Sequence, residues 1–188
     1  MNTVEPIKSL KKIDDMKKIL KAQNPRDYLL FLIGINTGLR ISDLLKLRMG
    51  DMISGKKIKD YTIIREKKTG KEKKFMLNNN VKKALKEYMD QGYITKPEDY
   101  LFKSRKGSKP ITGVQAWQIL NKAARSVGIN DRIGTHTLRK TFGYHAYQQG
   151  TDITLLQKVF NHSAPSITLR YIGITQEDID NVYVNLNL

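Results

Sequence analysis

Cysteine is absent from the 188-residue chain, which excludes a disulfide framework and a thiolate zinc finger and suits a reducing compartment. Long apolar runs are absent as well. The longest, residues 28–35, has eight residues, far short of the roughly 20 needed to span a bilayer, and it is not placed like a secretory signal. A cytoplasmic protein with no membrane partner is the expectation. The sequence also lacks a nucleotide-binding glycine loop, an internal repeat, a low-complexity tract and a linker rich in Pro, Gly or Ser. One compact unit with one site is the simplest organisation. Carboxylates do not cluster in a way that could hold Mg²⁺. Two of the three histidines, His136 and His145, are nine residues apart, a spacing that turns them to opposite faces of one helix and disfavours a metal-ligand pair. His145 is read as structural, and neither metal nor cofactor is expected.

Positive charge is abundant: the formal net charge is +16. An anionic partner, nucleic acid or membrane surface, follows from that excess, although a lysine-rich codon bias and a solvated surface would also produce one. The distribution separates these readings. Residues 1–110 hold 27 Lys and Arg against 13 Asp and Glu, whereas residues 111–188 hold 7 against 5, a split that codon bias does not explain. The densest stretch, residues 56–74, has nine basic and three acidic residues and surrounds a turn rather than a lipid-binding amphipathic helix. DNA or RNA is favoured over membrane.

Ile13, Met16, Ile19 and Leu20 recur at helical spacing, and Asn24 followed by Pro25 is a cap and first-turn signal for a second helix, apolar nearly all round, that runs to Gly38. A third helix is expected around Ser42. From about residue 49 to 77 the pattern becomes short β-rich runs, YTIIR and KKFML, joined across a KKTGKE turn containing Gly70. Helical spacing returns with Val81, Leu85 and Tyr88 up to Gly92, and again from Thr112 to Gly128. Further helices are predicted over residues 135–149, 152–160 and 164–172, with a last one from Thr175. Helices around one small sheet define an α+β class.

Arg40 and Asp43 share a helix face, so the carboxylate can brace the guanidinium; alone, that spacing equally describes a surface ion pair. His136 and Arg139 have the same spacing at a helix start, where free N–H groups and the dipole favour a phosphate. His162 lies at a turn between two helices. Tyr171, one of nine tyrosines, would ordinarily be packing material. Two arginines, two histidines, a hairpin lysine and a tyrosine make chemical sense together if the substrate is a phosphodiester. Guanidinium forks match non-bridging phosphate oxygens and can neutralise a pentavalent transition state in place of metal ions.

The ordered set TGLRISDLL, KKTGKEKKF, HTLRKTFG and NHSAPSITLRY resembles the tyrosine recombinase (phage integrase) family over about residues 7–175. The resemblance implies an α+β fold of the DNA breaking-rejoining type, a mainly helical single domain around a small antiparallel three-stranded sheet. It further implies that Arg40 and Arg139 clamp the scissile phosphate, Asp43 supports them, His136 assists proton transfer, Lys68 is the general acid, His162 hydrogen-bonds a phosphate oxygen and Tyr171 attacks. The products would be a 3′-phosphotyrosyl link and a free 5′-hydroxyl, with no ATP, metal or other cofactor. The implied partners are duplex DNA with specific sites and a homotetramer on two of them, in the bacterial cytoplasm at the nucleoid. Alternatives are a catalytically silent DNA-binding regulator of the same fold and relaxation of the type IB topoisomerase kind. The family's Leu-Gly before the second histidine is Phe160-Asn161 here, which predicts a differently shaped turn, and Lys67, Lys71, Lys73 and Lys74 crowd the hairpin beside Lys68. Most members carry an N-terminal helical domain, whereas this chain begins almost at the catalytic unit, like the short invertase-like members or a fragment. Residues 1–174 are the expected catalytic domain and 175–188 an amphipathic helical tail, in which Ile179, Val182, Tyr183 and Leu186 form one apolar stripe open to exchange between protomers.

Overall fold

The computed structural model describes residues 4–93 and 96–186. Helix α1 (Leu10–Gln23) opens on a Ser9 cap, and Asn24 both ends it and caps α2 (Pro25–Thr37), accepting from Arg26 N at 3.0 Å. Residues 29–34 of α2 are buried, as expected of a helix with no polar face. The other helices gather on it: α1 on one side, α5 (Asn79–Asp90) on another, and α7 (Thr137–Gln148) across a third, while α6 (Gly113–Ser126) leans on α1. Among the described residues no helix is long and apolar enough to cross a membrane.

Between α2 and α5 the chain forms two short helices, α3 (Ile41–Leu44) and α4 (Met49–Met52), then β1 (Ile53–Ser54), β2 (Lys57–Ile58), β3 (Tyr61–Arg65) and β4 (Glu72–Met76). The expected three-stranded sheet is instead a pair of two-stranded antiparallel ribbons, β1–β2 and β3–β4. The cause is local. Lys59 N donates to Met52 O at 2.9 Å and Thr62 Oγ1 to Asp51 O at 2.9 Å, so the end of α4 packs against β3 where a third strand would have paired. Within the larger ribbon Thr62 faces Phe75 and Ile64 faces Lys73. Thr62, Ile64 and Glu66 are the less exposed residues of one arm, and Lys73 and Phe75 those of the other, the alternation that a pleated strand imposes.

The C-terminal third is a second, smaller core. Helices α8 (Ile153–Phe160) and α9 (Pro165–Ile172) bury Leu156, Phe160 and Ile172 against Phe142, Ala146 and Tyr171. Helix α7 lies between the two cores, and glycines allow both approaches: a Cβ on Gly34 would stand 2.4 Å from Leu138 Cδ1, and one on Gly143 would stand 2.6 Å from both Phe160 and Ile172. His145 is structural, its Nε2 lying 2.9 Å from Ile7 O.

Helix α10 (Gln176–Asn185) begins with a capping box between Thr175 and Asp178 and buries nothing. Ile179, Val182, Tyr183, Val184 and Leu186 are all exposed. Residues 187 and 188 of the expected tail lie outside the described residues.

Gly143→Ala should lower the free energy of unfolding in urea by up to about 2 kcal/mol, the overpacking cost of about 1–3 kcal/mol less the roughly 1 kcal/mol by which alanine outranks glycine in a helix. Gly113→Ala, where a Cβ meets nothing within 4 Å, is the control and should leave the midpoint unchanged or raised. An unchanged midpoint for Gly143→Ala would mean that α7 and the second core do not meet so closely.

Candidate active site

Gly38 ends α2 in the left-handed conformation, with φ 60°, which glycine adopts without a Cβ penalty. A Cβ there would meet the Phe142 ring at 2.5 Å. The turn delivers Arg40 to the N-cap of α3, two residues ahead of Ser42, with no side-chain cap, so its guanidinium is free to reach elsewhere. It reaches Glu66: Arg40 Nη1 is 2.7 Å from Glu66 Oε1, with side chains 15% and 5% exposed. Against the effect of burial, the pair holds the Glu66 pKa below the usual carboxylate value.

The supporting carboxylates divide the work differently from the sequence expectation. Asp43 does not pair with Arg40; its Oδ1 accepts from Lys67 N at 2.9 Å and its Oδ2 is buried without a partner. Glu66 is the carboxylate on Arg40, and its Oε2 accepts from Thr69 Oγ1 at 2.8 Å. Both therefore fasten the turn that carries Lys68 to the turn that carries Arg40. Lys68 itself is exposed, and its charge bears on His136.

Arg139 projects from α7 into the junction of the two cores and is 2% exposed. Nη1 donates to Gly38 O, Nη2 donates to Phe160 O at 2.9 Å, and the guanidinium carbon lies 4.6 Å from the centre of the Phe160 ring. Arg40 is thus the outer charge of the pair and Arg139 the inner one.

Tyr171 lies in the last turn of α9 and is half-buried. Its hydroxyl is 3.2 Å from His136 Nδ1, and its ring is edge-on to both His136 and His162, at centroid distances of 6.2 and 5.0 Å. Lys140 Nζ lies 5.4 Å from the ring centre. Burial raises the Tyr171 pKa above the usual phenol value, and the charges of Arg139 and Arg40 oppose that without cancelling it. For His136 partial burial comes first and the charges of Arg139, Lys140, Arg40 and Lys68 follow, all lowering its pKa. The phenol therefore keeps its proton at neutral pH beside an imidazole that is free to accept one.

His162 follows α8 across Asn161, the non-glycine residue with positive φ among those described, at 57°. Asparagine is well tolerated in this left-handed position after glycine, so the turn takes the shape a Leu-Gly sequence would give and the differently shaped turn is not found. His162 Nδ1 is 3.1 Å from Thr168 Oγ1, and its N–H returns to Gln157 O at 3.0 Å. Burial, then Arg139 and Arg40, lower its pKa too. Among the described residues there is no group of three or more His, Cys, Asp or Glu that could hold a metal ion.

Arg40, His136, Arg139, His162 and Tyr171 converge here, from the start of α3, α7, the α8–α9 turn and α9, while Lys68 stands exposed on the β3–β4 turn with its charge bearing on His136. Sequence reading missed Glu66, Lys73 and Lys140. The first two were within reach of the strand alternation, which puts Glu66 on the face of Thr62 and Lys73 on that of Phe75.

The pattern of the phage integrase family matches residues 9–178. A probable integrase/recombinase YoeC of Bacillus subtilis is 46% identical over 183 residues, covering 97% of either chain. Tyrosine recombinase XerA of Pyrococcus horikoshii is 28% identical over 167 residues, 88% of this chain and 57% of that one. In three dimensions the XerH site-specific recombinase bound to a palindromic difH substrate, in a post-cleavage complex, superposes with a TM-score of 0.75 at 20% identity, over 97% of this chain and 53% of XerH. The chain thus spans little more than half the length of those two recombinases and nearly all of YoeC. With the matched pattern running through every element that supplies a side chain to the cleft, the chain belongs to the phage integrase family.

Proposed function

We propose that the chain is a site-specific recombinase that cleaves and rejoins duplex DNA through a 3′-phosphotyrosyl intermediate on Tyr171. The observation that carries this reading is the protonated Tyr171 hydroxyl 3.2 Å from His136 Nδ1, with Arg139 and Arg40 the charges that bear on it. A scissile phosphate held by the outer charge of Arg40 and by the deeper charge of Arg139 has its extra negative charge in the transition state neutralised on both sides. As the Tyr171 oxygen attacks phosphorus, its proton passes to His136 Nδ1 and the bond from phosphorus to the 5′-oxygen breaks. Lys68 supplies the proton that the leaving oxygen needs, and His162 hydrogen-bonds a non-bridging oxygen. Attack by a partner strand's 5′-hydroxyl reverses the step. Two phosphodiester-energy bonds are exchanged, so no ATP is consumed. YoeC and XerH carry recombinase names, and the XerH complex contains its DNA substrate, which supports duplex DNA as the partner here. The nucleoid is where such an enzyme meets that partner.

The full reaction needs four protomers on two sites, with residues 1–174 catalytic and the tail binding a neighbour. Helix α10 supports this: its apolar stripe is exposed on its own domain, an isolated helix of that length is marginal in water, and no Lys or Arg follows Arg170 while three acidic residues do, which suits a protein contact better than a DNA contact.

Two outcomes are expected. On nicked duplexes selected by covalent capture from a pool of random core sequence, Tyr171→Phe should bind DNA and form no denaturant-resistant adduct, and Arg40→Ala should cleave about 10²–10³ times more slowly with a much smaller loss of binding; an adduct from Tyr171→Phe at undiminished yield would overturn the assignment. A chain ending at Thr175 should occupy a single site and fail to form tetramers in analytical ultracentrifugation on DNA. Normal tetramers with normal strand exchange refute the exchanged tail, and loss of folding in the free protein shows that the tail docks on its own domain.

A further inference from the structure

The alternation along β4 that buries Phe75 also turns Lys73 inward, while Glu72 and Lys74 face solvent. Lys73 crosses a cleft of about 630 Å³ between the hairpin and α8, and its Nζ donates to Val159 O at 2.8 Å. The next carbonyl, that of Phe160, accepts from Arg139 Nη2 at 2.9 Å. Both carbonyls belong to the last turn of α8, where they have no partner within the helix and where the helix dipole attracts cations. Beyond them the chain turns at Asn161 into His162, whose ring centre lies 5.0 Å from that of Tyr171. One cation on this helix end comes from α7 and the other from the hairpin that carries Lys68.

We propose that Lys73 is a positioning residue of the cleavage site: its ammonium ties the Lys68 hairpin to the end of α8, so that Lys68 and His162 share one frame with the two arginines. This rests on the recombinase reading above. Lys73 is set apart from the proton-transfer groups. Its ammonium is committed to Val159 O, and the charges acting on it are those of Arg139 and Arg40, opposed by Glu66 and Asp43. Lys71, Glu72, Lys74 and Lys158 also line the cleft, and all are exposed. Burial, followed by Arg139, brings the Lys73 pKa down to about 8, with Glu66 opposing. Below that pH the ammonium makes a charge-assisted bond to Val159 O; above it the neutral amine makes a weaker one.

The test is the single-turnover rate on the captured nicked duplex, with an oxygen or a sulfur at the 5′-bridging position. Lys73→Met should cleave about 100-fold more slowly, the cost of a small misplacement of reacting groups, with DNA affinity little changed. Sulfur leaves without a proton, so it should restore Lys68→Ala and lift Lys73→Met only in part, because it bypasses a misplaced Lys68 and leaves His162 misplaced. Lys73→Arg should recover most of the rate, and because its guanidinium stays charged, the fall in rate expected of the unaltered protein above a pH of about 8 should move upward. A native rate in Lys73→Met, or its complete rescue by sulfur, overturns the proposal, the latter by confining the effect of Lys73 to protonation of the leaving oxygen. If Lys73→Met does not fold, an alkaline limb in Lys73→Arg unmoved from that of the unaltered protein overturns it equally. No adduct from the unaltered protein removes the recombinase reading itself and this inference with it, an outcome distinct from the others.

Discussion

Everything at the cleft depends on where Arg139 spends its hydrogen bonds. Its guanidinium is 2% exposed and is shared between Gly38 O, at the end of the helix that leads to Arg40, and Phe160 O, at the end of the helix that leads to His162. Each buried carbonyl left without a donor would cost about 1–3 kcal/mol. One cation therefore closes two helix ends and joins the main core to the C-terminal one. It also stays close enough to Tyr171 to act on its titration. The same side chain organises the fold at this point and supplies positive charge to the site, so a merely conservative replacement, even by lysine, forfeits the fork that reaches both carbonyls.

Around that anchor the charges sort themselves by side. Burial and cations act together on His136 and His162 and keep the imidazoles neutral, whereas at Tyr171 burial outweighs the opposing arginines and leaves the phenol protonated. Glu66 and Asp43 lie behind, fastening the hairpin turn through Thr69 Oγ1 and Lys67 N. The carboxylates thus hold the Arg40 motif and the Lys68 turn together from the rear and leave the front of the cleft positive, which is what an approaching phosphate requires.

Much of the fold was legible because its signals are local. The Asn24–Pro25 cap, the Gly38 stop and the strand YTIIR each mark an observed boundary. Helix α4 was not legible, since four residues carry no helical period, and it is the end of this helix that displaced the expected third strand. The helix start placed near Ser42 was displaced by Arg40, whose extended backbone, φ −67° and ψ 144°, already serves as the cap. The convergence of Arg40, Arg139, His136, His162 and Tyr171 follows motifs that name residue types in order. The Arg40–Glu66 contact and the Lys73–Val159 bond do not, because each joins segments whose proximity is set by packing and not by any one segment's pattern.

The central claim is that Tyr171 becomes bonded to DNA, and the most direct measurement is the position of the nucleotide on the protein. After covalent capture, nuclease trimming and digestion, fragmentation mass spectrometry of the peptide spanning residues 159–188 separates Tyr171 from Tyr183, which is 78% exposed. The account predicts a nucleotide joined through its 3′-phosphate to Tyr171 alone. A nucleotide on Tyr183 or on any other residue, or one joined through its 5′-phosphate, would contradict it.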